Sequence, residues 1–209
     1  MNMNDPVQVT GSEPYRRFLR TFFDAPQRDG PDVRVLDELT PAEREHAEQT
    51  MLAHLPDFNA MSGLAYLCST RAVEPLREVM RTRRGTYGVL AAIALWKIRP
   101  DREAFALLCR TVEERPRLRR RPERVDAAAA LTHIDRREAV TALITALGDR
   151  DIAVNANAWS AVPERLRLNA EADAWGSGHM TLREFRALAW AALDRYYPAP
   201  PAGQDTGQR

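Results

Sequence analysis

Residues 91–98 read AAIALWKI and residues 127–134 read AAAALTHI. Both segments combine small alanines with large apolar side chains, a composition typical of a helix that is buried on most of its surface. A second apolar helical pattern follows each segment within a few residues, beginning at Ala104 and at Ala139, and a third apolar segment surrounds Trp159. This alternation predicts a chain made of paired helices.

The spacing of equivalent residues indicates an internal repeat. The first-helix alanines Ala72, Ala104 and Ala139 lie 32 and 35 residues apart. The second helices end at apolar residues 31 and 36 apart: Leu67, Ile98 and Ile134. Because both sets of positions advance together, the chain is predicted to be an array of helical hairpins. One hairpin cannot bury its apolar face alone, so neighbouring hairpins must stack.

Capping residues predict where two of the helices begin. In the segment Thr40-Pro41-Ala42-Glu43, the threonine can cap, the proline suits the first helical position and the glutamate can complete a capping box. The helix that follows should run to about His54. Thr181 and Glu184 predict a second capping box, which opens a last helix to about Tyr197.

Other boundaries are predicted from weaker signals. Asp135 and Glu138 have the spacing of a further capping box, before a helix that contains Ala139. A helix is expected over residues 152–162. Residues 165–179 should be less regular, with a flexible break at the glycine-rich residues 176–178.

These elements together predict an all-α fold, an α-solenoid of about four stacked helical hairpins. A helix within residues 15–23 and the last helix should cap its two ends. We expect residues 1–14 to be a flexible N-terminal segment, residues 15–197 to form the solenoid domain, and residues 198–209 to be a disordered tail.

The repeat pattern resembles the HEAT-like family in its short bacterial form. EAVTAL at 138–143 resembles the family's first helix, LGDRD at 147–151 its turn, and DIAVNANA at 151–158 the start of its second helix. The sequence departs from the family pattern at Asn155, where arginine is common. The resemblance is best over residues 71–162 and extends back to Leu39. A tetratricopeptide array fits less well, because the tryptophan, glycine and tyrosine positions of that pattern do not align.

Composition indicates a soluble chain of nearly balanced charge. Thirty basic and 29 acidic residues give a net charge of +1, so no global attraction to nucleic acid is indicated. Lys97 is the only lysine, and we interpret the excess of arginine first as a coding bias. Cys68 and Cys109 form no CxxC motif and are expected to be apolar core residues in a reducing compartment. With no secretory pattern in residues 1–14 and no membrane-spanning run, the expected location is the cytoplasm.

Motifs that would indicate catalysis are weak. His46 and His54 are eight residues apart on one helix, whereas metal ligands on a helix are usually three or four apart. No serine stands in a GxSxG motif and no glycine loop suits a phosphate. Asp149 and Asp151 are interpreted as residues that end one helix and cap the next. The sequence therefore predicts no enzyme, and no catalytic, cofactor-binding or metal-binding residue.

Charge is unevenly distributed along the chain. Residues 31–60 carry a net charge of −5, whereas residues 110–124 carry +4. If equivalent turns stack along one edge, the arginines of two turns form a basic ridge: Arg81, Arg83, Arg84, Arg115, Arg117, Arg119, Arg120 and Arg121. Three interpretations stay open for this ridge, namely a solvated edge paired with local glutamates, a surface for an acidic protein, and a surface for nucleic-acid phosphate. Trp175, next to the glycine-rich break, is a further candidate anchor for a protein partner.

The resemblance and the ridge imply a function in binding. The expected function is that of a non-catalytic protein-binding module, an adaptor or an immunity-type protein, which uses the solenoid groove or the basic edge, with another protein as partner and no membrane. The alternative is a nucleic-acid-binding HEAT-like protein similar to the DNA glycosylases of this type, which would use the same arginines. A third class, the bilin lyases, would need a chromophore pocket.

Overall fold

A computed structural model describes residues 11–24, 30–114 and 122–199 of the chain. All regular structure in these three ranges is helical, with eleven α-helices and no strand. The prediction of an all-α fold is therefore confirmed. Within the described ranges, no helix is both long and apolar enough to cross a membrane.

The chain forms two compact units, which divide between Phe105 and Ala106. The helices up to this division are α1 (Glu13–Leu19), α2 (Pro41–Ala53), α3 (Phe58–Tyr66), α4 (Val73–Thr82), α5 (Thr86–Ile98) and α6 (Arg102–Glu113), the last of which crosses it. A π-helical turn (Arg20–Asp24) and two 3-10 turns (Val33–Asp37 and Thr70–Ala72) connect them. The helices after it are α7 (Pro122–Leu131), α8 (Arg137–Ala146), α9 (Ile152–Leu166), α10 (Asn169–Gly176) and α11 (Leu182–Tyr196).

The first unit is built around α3 and α5. Helix α3 packs against α2 and α5, and α5 also packs against α4. The alanine-rich segment lies in α5, where Ala91, Ala92 and Leu95 are fully buried. Gly63 permits a close approach on α3, because a Cβ atom there would lie 2.3 Å from the Met51 sulfur. Small residues thus set the distance between these helices.

The second unit has a corresponding arrangement. Helix α9 packs against α7 and α8, and α11 packs against both α8 and α9. Ala127, Ala128 and Leu131 of the second alanine-rich segment are fully buried in α7. In each unit, the predicted second helices of neighbouring hairpins are in contact, α3 with α5 and α7 with α9.

Three of the predicted boundaries are wrong. Helix α8 starts after Arg136 without a side-chain cap, so Asp135 and Glu138 form no capping box. Asp135 instead accepts a hydrogen bond from the hydroxyl of Tyr197. Helix α9 continues to Leu166, beyond the predicted end at residue 162, and residues predicted to be irregular form α10.

The capping box at the start of α2 also holds the N-terminal helix in place. Glu43 accepts hydrogen bonds from the backbone N–H of Thr40 (3.0 Å) and from the backbone N–H of Ser12 (2.9 Å). Ser12 in turn caps α1. These hydrogen bonds lower the pKa of the Glu43 carboxyl from 4.5 to about 2, and those with Ser12 contribute most. Residues 1–10 of the predicted flexible segment lie outside the described residues.

We predict that Glu43→Gln makes the free energy of unfolding less dependent on pH in the acidic range. The folded-state pKa is depressed, so the stabilisation is present above about pH 4.5 and is lost as the pH falls toward about 2. The variant should therefore be less stable than the wild type at pH 7 and approach it near pH 2, as measured by urea unfolding at several pH values. Glu78→Gln, an exposed change on α4, is the control. An equal loss of stability at every pH would contradict the prediction.

A buried ion pair links three elements of the second unit. The guanidinium of Arg124 on α7 donates to both carboxylate oxygens of Asp149, at 3.1 and 2.7 Å, and to the carbonyl of Val112 at 2.9 Å. Only 4% of the Arg124 side chain and 8% of the Asp149 side chain are exposed. Asp149 also accepts from the backbone N–H of Asp151, which caps α9. The pair thus joins the end of α6, the start of α7 and the turn before α9.

We predict that Arg124→Met lowers the free energy of unfolding by about 3–5 kcal/mol, because it removes the buried guanidinium that donates to both oxygens of the Asp149 carboxylate. The double variant Arg124→Met, Asp149→Asn should lose less than the sum of the two single changes. Urea unfolding of the four proteins measures this coupling. Additive losses would show that the pair contributes no interaction of its own.

Candidate functional site

The arginines of the first predicted turn differ in their surroundings. Arg81 forms an ion pair with Glu103, with a shortest distance of 2.9 Å, and 54% of its side chain is exposed. Arg83 and Arg84 lie between α4 and α5 and are exposed. Neither forms an ion pair within the part of the chain that the structure describes. Positive charge at this turn is therefore available from two arginines rather than three.

The other five candidate arginines are Arg115, Arg117, Arg119, Arg120 and Arg121, and they lie outside the described residues. The ridge that would join them to the first turn stays a prediction.

Trp175 is part of a column of three aromatic rings, which we call the aromatic column. Its indole stacks on that of Trp159, with ring centroids 4.0 Å apart and an angle of 16° between the planes. Trp159 in turn contacts Phe185, at 4.7 Å between centroids. Phe185 is fully buried, Trp159 is half-buried, and Trp175 is 36% exposed. The column thus extends from the core of the second unit to its surface.

Helix α10, which carries Trp175, ends in a hydrogen-bonded cap. Gly178 has a φ of +79°, and its N–H donates to the carbonyl of Trp175 at 3.0 Å. The N–H of His179 donates to the carbonyl of Ala174 at 2.8 Å. These two bonds form a Schellman motif, in which glycine is favoured at the left-handed position. Residues 176–178 are therefore an ordered helix cap, and the prediction of a flexible break was wrong.

Each ring of the column comes from a different helix: Trp159 from α9, Trp175 from α10 and Phe185 from α11. All three of these helices are in mutual contact. Sequence reasoning selected Trp175 but not its two partners, because the pattern did not predict α10 and gave no register for its packing. The helical periodicity placed Phe185 in the apolar stripe of the last helix and Trp159 in a second helix, which indicated packing residues only.

The column offers recognition rather than proton transfer. An exposed indole face provides dispersion contacts and attracts cations through its π electrons. Cys109, in the same unit, could act as a nucleophile only as a thiolate. Burial is the main cause that raises the pKa of its thiol to about 12, and the carboxylates of Glu113 and Glu138 add to it. The thiol is therefore protonated at neutral pH. Among the described residues, no group of three His, Cys, Asp or Glu side chains could hold a metal ion.

The fold and this site define an all-α protein in which a column of three aromatic rings reaches the surface of the second unit. Comparison of the chain with family models, with curated proteins and with solved structures found no match. The HEAT-like assignment therefore stays a prediction from the repeat pattern.

We predict that Trp175→Ala removes a near-ultraviolet circular dichroism signal that arises from coupling of the two stacked indoles. The loss of the stack should also lower the free energy of unfolding by about 1 kcal/mol. Trp190→Ala is the matched control, because Trp190 is similarly exposed, at 41%, and has no stacked partner within the described ranges. Equal spectra for Trp175→Ala and the wild type would contradict the stacking geometry.

Proposed function

We propose that this chain is a non-catalytic protein-binding module built from HEAT-like helical hairpins, and that Trp175 anchors its partner. The observation that carries the proposal is the exposed indole of Trp175, stacked on Trp159 and held by an ordered helix cap. Tryptophan is among the residues that contribute most to protein interfaces.

Rigidity is the reason why this ring suits a binding role. A side chain that is already ordered in the free protein loses little conformational entropy when a partner packs against it. Stacking on Trp159 orders the indole of Trp175, which stays 36% exposed. We therefore expect the partner to place an apolar or cationic group against the indole.

The packing of hairpins supports the HEAT-like part of the proposal. In both units, the second helix of one predicted hairpin contacts the second helix of the next. Contact between neighbouring second helices is what an array of stacked hairpins requires. An adaptor or immunity-type role follows from the resemblance alone, and the two free cysteines favour a cytoplasmic location. Cys109 is buried, whereas Cys68 is exposed, so the prediction that Cys68 is a core residue was wrong.

Affinity capture tests the anchor. Immobilised wild-type protein should retain one specific protein, in roughly equal amount, from a lysate of the source organism. Trp175→Ala should lose this partner and Trp190→Ala should keep it, with circular dichroism confirming that both variants are folded. Retention of the same partner by all three proteins would reject Trp175 as the anchor.

Nucleic-acid binding is the second candidate function, and the exposed Arg83 and Arg84 are the observation that favours it. Because Arg81 is paired with Glu103, we predict that the protein has no specific affinity for a DNA duplex at low salt. Retention on a DNA column that is lost in Arg83→Glu, Arg84→Glu would favour the second candidate instead. The charge-matched control is Arg183→Glu, Arg195→Glu, which changes exposed residues of α11.

A further inference from the structure

An open cleft of about 660 Å³ lies on the first unit, remote in sequence from the aromatic column. It is formed by the end of the 3-10 turn at Asp37, one side of α2, the end of α3 and Arg71. Its polar lining consists of three carboxylates, two guanidinium groups and one phenol: Asp37, Glu45, Glu48, Arg44, Arg71 and Tyr66. This combination of groups in one concavity is typical of a site for a charged ligand.

Two of the carboxylates are exposed, and a hydrogen bond holds one of them in place. The side chains of Asp37 and Glu45 are 59% and 58% exposed. One oxygen of Asp37 accepts a hydrogen bond from the hydroxyl of Tyr66, which leaves the other oxygen 3.9 Å from the guanidinium of Arg44. Arg44 donates its closer hydrogen bond, at 3.0 Å, to the carbonyl of Leu36. Asp37 therefore keeps an acceptor oxygen that is open to the cleft.

Arg71 contacts both Glu45 and Glu48, which shows that this pair of carboxylates accepts a guanidinium. Its guanidinium contacts Glu45 at 3.4 Å and Glu48 at 3.3 Å. Charge-assisted bonds of good geometry are about 2.7–2.9 Å long, so both contacts are loose. Glu48 is additionally held by the hydroxyl of Ser69. The carboxylates thus accommodate a guanidinium without satisfying it fully, and 56% of the Arg71 side chain is exposed.

The rest of the lining suits the aliphatic part of a basic side chain. Leu39, Pro41 and Leu67 contribute apolar surface to the cleft. Tyr66, which is 41% exposed, presents an aromatic ring beside the open carboxylate of Asp37. Arginine and lysine bury their methylene groups on apolar surface, keep the charged end polar, and bind to aromatic faces.

We propose that this cleft binds an arginine or lysine side chain of a basic segment in a partner protein. Charge complementarity favours this occupant, because the lining has three carboxylates against two guanidinium groups, a net charge of −1, and residues 31–60, which supply most of the lining, carry a net charge of −5. The cation binds between Asp37 and Glu45, over the ring of Tyr66, and its methylene groups lie on Leu39. This site is separate from the aromatic column, so it does not depend on the role of Trp175.

Fluorescence anisotropy with a labelled, end-capped peptide that contains two arginines tests the site. A peptide with citrulline in place of both arginines has nearly the same shape without the charge, and it should not bind. The variant Asp37→Asn, Glu45→Gln should weaken binding of the arginine peptide at least tenfold. Glu78→Gln, which removes one exposed charge elsewhere in the unit, should leave binding within twofold.

A gain of affinity provides a test that misfolding cannot imitate. Arg71→Gln removes the resident guanidinium and should strengthen binding of the arginine peptide several-fold. Arg99→Gln, an exposed change of equal charge, should not. Trp175→Ala should bind the peptide as the wild type does, which separates this site from the proposed anchor.

Three results would overturn the proposal: binding of the citrulline peptide equal to that of the arginine peptide, an equal loss in Glu78→Gln and in the cleft variant, or no binding at low salt. Tighter binding of an acidic or phosphorylated peptide would also overturn it, since it would assign the cleft to an anion held by Arg44 and Arg71.

Discussion

The hydrogen bonds from arginine side chains to helix-terminal carbonyls are the interactions on which the second unit depends. The last carbonyls of an α-helix have no partner within the helix and carry partial negative charge. In this unit, guanidinium groups of Arg124, Arg165 and Arg186 donate to such carbonyls at the ends of α6, α7 and α8 respectively, and Arg137 donates to the carbonyl of Tyr197, the residue that caps the end of α11. Each arginine belongs to a different helix from the one it caps. The caps therefore fix how the helices of this unit are placed against one another, in addition to satisfying their ends.

This use of arginine gives its abundance a physical explanation beyond coding bias. A guanidinium is planar and has five donors, so one side chain can serve several acceptors at once. Arg165 donates to three carbonyls at and just after the end of α7, those of Leu131, Thr132 and Ile134, and Arg124 serves a carboxylate and a carbonyl together. A lysine could not reproduce this geometry. It follows that a count of arginines overstates the positive charge that this protein presents to a partner.

Sequence reasoning succeeded where the determining interaction is local. The capping boxes at Thr40 and Thr181 form as predicted, because each connects residues three apart. It failed where a distant residue decides the outcome. Asp135 is bound by Tyr197, 62 residues away, and so caps no helix. Helix α9 ends with Arg167 at a φ of +56°, a position where glycine is the usual signal, and this left the pattern without a visible stop.

The same distinction between local and distant interactions applies to the candidate site. The exposure of Trp175 could be anticipated from its polar, glycine-rich surroundings, but its stacking depends on the register of three helices. Burial of Phe185 follows from the apolar periodicity of the last helix, whereas the Schellman motif after α10 and the stacking of the two indoles are not visible as a periodicity. Since many of the described arginines are engaged inside the fold, charge alone is a poor guide to where this protein binds. For the anchor that we propose, stacking of Trp175 on Trp159 in the free protein reduces the conformational entropy that is lost when a partner binds.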